Sequence, residues 1–161
     1  MGNRSGCGFC WLSLTVVVAL AGFAGYRLFM GAHTHVGTDG RAEIALTAAD
    51  RDIVLAEMRA ILGAVQGMTT ALTQDDLKLV AQQARSVGLS AMGQVPPSLM
   101  QALPLEFKTL GREMHTEFDQ IALDAEQMGD REHALQQLGA MLGKCVACHA
   151  TYRLTASKDG D

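Results

Sequence analysis

Aromatic side chains are scarce in this sequence and unevenly placed. They make up 5% of 161 residues, and Phe9, Trp11, Phe23, Tyr26 and Phe29 all fall before residue 30. From Thr38 onward only Phe107, Phe118 and Tyr152 remain, which is little material for a large core. Proline is rare, with three in the chain, and β-branched residues thin out after residue 40, which argues against an all-β fold. Charged residues are only 19%, the net charge is −4, and no cluster of Lys and Arg is present. That composition excludes a phosphate-backbone partner, so no nucleic acid is expected. The 48% apolar content equally excludes a disordered tail. The length suits one domain with an appendage, not two domains. Methionines after Thr38 fill part of the aromatic deficit; a large flat apolar cofactor would fill it better.

What the sequence does contain is one long apolar run. Residues 9–26 read FCWLSLTVVVALAGFAGY without a charge, preceded by Arg4 and followed by Arg27. Two readings compete. A cleaved signal peptide would use the small residues of Ala19-Leu20-Ala21 as its cut site. An uncleaved anchor needs ~20 apolar residues, which residues 9–30 supply, with Trp11 and Tyr26 as interfacial aromatics and Arg27 reaching outward along its stem. The anchor is the preferred reading, because a cut after Ala21 leaves the apolar GFAGYRLFM on the mature chain. Both readings export the remainder. The expected organisation is a membrane segment over residues 1–30, a linker over 31–46 and a domain over 47–161. His33 and His35 sit in the Gly-rich linker and are expected to be solvated rather than metal-bound.

Beyond the linker a 3.6-residue period dominates. Thr47-Ala-Ala-Asp50 reads as a capped helix start, followed by Val54, Met58, Ile61, Val65 and Met68 on one stripe. Thr73-Gln-Asp-Asp76 opens a second helix carrying Leu77, Val80, Ala84, Val87 and Ala91, ending near Gly93. After the Pro96-Pro97 break, Pro104 starts a third, with Phe107, Leu110, Met114, Phe118, Ile121, Ala125 and Met128 as its stripe and Gly129 as its stop. Asp130 caps a fourth, whose stripe is Leu135, Leu138, Leu142, Cys145, His149 and Tyr152. The predicted fold class is all-α, an antiparallel four-helix bundle preceded by a transmembrane helix. His115 and His133 fall on the polar sides of their helices and are expected to be solvated.

The chemistry lies in Cys145-Val146-Ala147-Cys148-His149, the C-x-x-C-H signature of covalent haem c attachment. Thiols three residues apart on a helix project from one face and suit the two vinyl groups on one haem edge, while the adjacent histidine can bind the iron. The competing explanations are weaker. A redox dithiol usually opens a helix in an α/β setting; a zinc site lacks a fourth ligand; an i, i+3 disulfide inside a helix is geometrically poor. The second pair, Cys7 and Cys10, is followed by Trp11 instead of His, and is read as inert or lipid-modified thiols without a cofactor.

An exported helical domain with Cys145-x-x-Cys148-His149-x-x-Tyr152-Arg153 near its carboxyl end resembles the cytochrome c prime family and its low-spin relatives. The resemblance covers roughly residues 47–154. It implies one haem c held by Cys145 and Cys148, His149 as proximal axial ligand and Arg153 near the proximal side. The family's sixth-ligand place, midway along the first helix, corresponds to Met58. Where that place holds Met the iron is six-coordinate, with Met68, Met114 or an open site as the other candidates here and His115 as the fallback for bis-histidine ligation. The family often carries Arg one turn before the sixth-site residue; Val54 stands there, leaving Arg51 or Arg59 for a propionate.

The expected function is single-electron transfer between redox partner proteins at a membrane, by a single-pass protein of the bacterial inner membrane with its haem domain in the periplasm. A homodimer is plausible by the same resemblance. Two alternatives stay open: a five-coordinate haem protein binding nitric oxide or carbon monoxide, and a haem-free helical adaptor with a redox dithiol. No nucleophile elbow, phosphate loop or paired acid–base carboxylates are present, so the chain is not expected to be an enzyme.

Overall fold

The computed structural model describes residues 5–93 and 95–157, with side chains from Cys10 onward; Arg4 and the Cys7 thiol, both invoked above, lie outside the described residues. The chain is mostly helical with a small three-stranded sheet. Helix α1 runs Ser5–Met30. Its stretch Cys10–Met30 is long and apolar enough to cross a membrane, a property that signal sequences share. Its apolar side chains, among them Trp11, Phe23, Tyr26 and Phe29, are exposed.

Four further long or medium helices build the main core: α2 (Ala48–Thr73), α3 (Leu77–Arg85), α5 (Leu105–Gln127) and α6 (Arg131–Thr151). Their starts follow the sequence signals. Thr47 accepts from the Asp50 N–H, Asp76 from Leu79 and Asp130 from His133, each occupying an otherwise unpaired donor of a first turn. Gly129 stops α5 with φ +62°, a left-handed position that glycine adopts without steric cost. Ile61, Ala64 and Met68 of α2, Val80 and Ala84 of α3, Phe118, Ile121 and Ala125 of α5, and Leu138 and Met141 of α6 pack into one buried cluster.

The sequence reading needs several corrections. The second helix ends at Arg85 and gives way to a short 3-10 turn, Leu89–Met92, because Gly88 breaks the run and the Leu89 N–H turns to the Asp119 carboxylate at 3.0 Å. An additional short helix, α4 (Pro97–Ala102), fills the connection to α5. It is pinned by the buried Asp50, whose carboxylate accepts from the Ser98 hydroxyl at 2.9 Å and from Thr47 at 3.0 Å. The buried face of α6 is Ala134, Leu138 and Met141, so of the leucines expected to face inward Leu138 does, while Leu135 and Leu142 are exposed.

Residues 31–46 are not a free linker. They carry β1 (His35–Val36) and β2 (Ala42–Leu46), and the chain after α6 forms β3 (Tyr152–Ala156) where continued helix was expected. β2 is central, antiparallel to β1 and parallel to β3, with Ala42 opposite Tyr152 and Leu46 opposite Ala156. His33 and His35 are exposed, in keeping with solvated side chains. The sheet supports a second buried cluster of Ile44, Leu46, Val54, Leu99 and Leu103, against which Met58, Phe107 and Tyr152 pack. Phe107 and Tyr152 meet edge to face at 5.4 Å. The main core depends most on Phe118, the largest fully buried side chain. Phe118→Ala is expected to lower the unfolding free energy of the full chain in detergent by about 3–5 kcal/mol in urea titration; a loss under about 1 kcal/mol would show the core collapsing around the gap.

Candidate functional site

The two clusters do not merge. Between them lies an apolar cavity of about 240 Å³, walled by Val54, Leu99 and Leu103 from the sheet-side cluster and by Met114, His115 and Cys145 from the main-core side. The first half of the α5 stripe, Phe107, Leu110 and Met114, faces this space half-buried, with Phe107 packing on the edge of the sheet-side cluster and Met114 on the edge of the main core. Apolar side chains around a void forgo packing contacts, so a well-formed apolar cavity here is a feature a ligand would complete.

The last turns of α6 deliver the motif to the void. Cys145 and Cys148 are both free, half-buried thiols lining the cavity, and Cys145 Sγ lies 3.7 Å from Met141 Sδ. His149 is exposed and lines a neighbouring cavity of about 380 Å³ together with Arg41, Arg51, Tyr152 and Arg153. The two spaces share Val54, Met58, Phe107 and Cys148 as a common wall. Met58 therefore lines both, sharing the first with Cys145 and Cys148 and the second with Cys148 and His149.

Electrostatics separate the candidate roles. Burial pushes both Cys145 and Cys148 thiols up from their ordinary 9.0. A redox dithiol or zinc site works through thiolates and needs the opposite shift. Among the described residues no group of three or more His, Cys, Asp or Glu side chains is arranged to hold a metal ion. Arg153 lines the His149 cavity, yet its guanidinium is engaged by Glu43 and by Asp39 at 3.4 Å. Arg51 is different: its Nε is buried without a hydrogen-bond partner in the wall of that cavity. An orphaned guanidinium nitrogen calls for an anion. Arg59, the other candidate, is exposed and lines neither space.

Comparisons of the chain with family models, curated proteins and solved structures find no match. The site is therefore read from its own chemistry. Paired thiols on one helix, a neighbouring imidazole, a thioether lining the same apolar cavity and an arginine Nε buried without a partner are a donor set that fits a covalently held haem with an anionic edge.

His115 departs from the sequence expectation. It is 3% exposed instead of solvated. Its Nδ1 lies 2.7 Å from the Val87 carbonyl and its Nε2 3.0 Å from Glu57. A neutral ring donating to Val87 would turn a bare nitrogen toward the carboxylate, so the ring is held as imidazolium. With both nitrogens engaged, it is not free to bind iron in this arrangement. His133 is also paired, 3.3 Å from Asp124. His115 shares helical spacing with the buried Phe118, Ala122 and Ala125, a signal that the equally regular and more apolar stripe through Met114 masks.

Burial by itself lowers the affinity of His115 for its proton, but the bond to Glu57, the bond to Val87 and the charge of Asp119 together raise its pKa above the ordinary 6.5. Such a group stabilises the fold fully below the unfolded-state value and loses that contribution as pH rises through the elevated folded value. The wild-type chain should accordingly lose more unfolding free energy than His115→Phe between about pH 6 and about pH 9, from just below the ordinary value upward through the raised one, measured by urea titration at a series of pH values. Parallel curves for the two proteins would contradict the charged assignment.

Proposed function

We propose that this chain is a membrane-tethered monohaem c-type cytochrome that carries single electrons. The observation that carries the reading is the placement of Cys145 and Cys148 on the wall of an apolar cavity that divides two hydrophobic cores. In this reading α2, α3, α5 and α6, joined by short connections between α2 and α3 and between α5 and α6, form an antiparallel four-helix bundle.

Haem c supplies a ferrous–ferric couple when bound. Cys145 and Cys148 would hold it through thioethers, which removes two thiols that burial already keeps protonated. His149 would bind the iron from α6 and Met58, lining both cavities, would supply the second protein ligand. A thioether ligand favours the reduced metal, and the apolar wall of Val54, Leu99, Leu103 and Phe107 disfavours added positive charge, so both raise the potential. Arg51 offers its unpaired Nε to a propionate, in place of an arginine one turn before Met58. Arg153 acts at one remove, tying β3 to β2 through Glu43 and so fixing the strand that leaves His149.

Absorption spectra of the matured protein test the ligand set. The ferric form should show the long-wavelength methionine-to-iron band, and the ferrous form should be low-spin and bind carbon monoxide poorly. Met58→Ala should lose the band and bind carbon monoxide readily. A wild-type ferrous protein that is high-spin and takes up carbon monoxide freely would replace the electron-carrier reading with gas binding.

A further inference from the structure

We propose that the cavity-bearing end of the domain rests directly on the lipid surface, held there in one orientation by a rigid junction between α1 and α5. This inference rests on the membrane-anchor reading of α1, and its redox consequence rests on the proposed function.

The junction is built from three features. The apolar stretch ends at Met30, and at ~1.5 Å rise per residue its 21 residues span ~31 Å, about one hydrocarbon thickness, leaving no spacer beyond it. Gly31 then ends α1 in a left-handed conformation, φ +72°, pressed so closely on the Leu103 carbonyl that a Cβ would lie 1.9 Å from that oxygen. Lys108 completes it from α5: its ammonium donates to the carbonyls of Leu28 at 2.8 Å, Phe29 at 3.1 Å and Met100 at 2.9 Å. One cation thus caps the electronegative ends of both α1 and α4.

The same Lys108 lines the cavity that holds Cys145 and Cys148. The cavity wall is therefore one lysine side chain away from the end of the span. Leu105 and Glu106 share a cleft with Tyr26 and Arg27, a full turn inside the apolar stretch, which sets the start of α5 at the depth of the lipid headgroups. From Gly31 the chain passes into β1, which pairs with β2, and β2 in turn pairs with β3 immediately after α6, so the strands tie the anchor side of the chain to the end of the site helix. A swinging tether would let the site sample the aqueous space. This junction instead holds it at the membrane plane, where electrons would be exchanged with a membrane-resident partner.

Photo-crosslinking in lipid nanodiscs tests the orientation with a readout independent of haem. A p-benzoyl-Phe residue in place of Glu106 should give lipid adducts detectable by mass, and the same residue in place of Gln136, at the opposite end of α6, should give several-fold fewer. Lys108→Met should cut the Glu106-site yield several-fold. Equal yields at the two sites would overturn the docking, and an unchanged yield in Lys108→Met would overturn the clamp. Haem is scored on the same samples: colourless protein with asymmetric adducts keeps the docking and removes the redox reading, whereas coloured protein with symmetric adducts does the reverse.

Discussion

The final turns of α6 impose the constraint on which the rest of the structure depends. At about 100° per residue, Cys148 and His149 fall on opposite sides of the line through Cys145, about 60° and 40° from it. Cys145 and Cys148 consequently face the cavity between the two cores, and His149 faces the adjoining space on the other side of Cys148. Everything around that turn conforms to it. The main core stops at Met114 and Cys145, and the sheet-side core begins at Val54 and Leu103. β3 starts one residue past α6 and locks its end to β2.

The cavity also accounts for the aromatic poverty of the domain. A helical domain with three aromatics after Thr38 has few large side chains to fill its interior, and Phe118 is committed to the main core. Phe107 and Tyr152 pack on each other at the cavity's edge, leaving the space between the cores to small and flexible residues. Methionines at 58, 92, 100 and 114 line it, adaptable side chains suited to closing around a rigid ring.

Much of this was legible in the sequence. The capping residues Thr47, Asp76 and Asp130 and the stop at Gly129 marked real helix ends, because each satisfies a local backbone requirement that does not depend on tertiary context. The sheet was not legible. β2 is a five-residue strand inside a Gly- and His-rich stretch, and β3 continues the apolar spacing of α6 through Tyr152 and Leu154, so a short alternation was hidden by a longer helical pattern. The α6 stripe was misplaced because Ala134 and Met141 mark the buried face less strongly than Leu135 and Leu142 mark the exposed one. His115 was missed for a related reason: a polar residue enters a core only when partners await it, and Glu57 and Val87 come from elsewhere in the chain. The C-x-x-C-H spacing was legible in the sequence, and the structure places Cys145, Cys148 and His149 together in the last turns of α6. Arg51 and Arg59 were equal candidates for an anion in the sequence; the buried, unpaired Nε of Arg51 and the exposure of Arg59 separate them.

The central claim is that the chain carries a porphyrin on its last helix, and the intact mass of protein matured in a host with haem-attachment machinery tests it most directly. The account predicts a mass increased by one haem that survives denaturation, and its loss in Cys145→Ser/Cys148→Ser. A colourless wild-type chain at its bare polypeptide mass, with that machinery working, would contradict it.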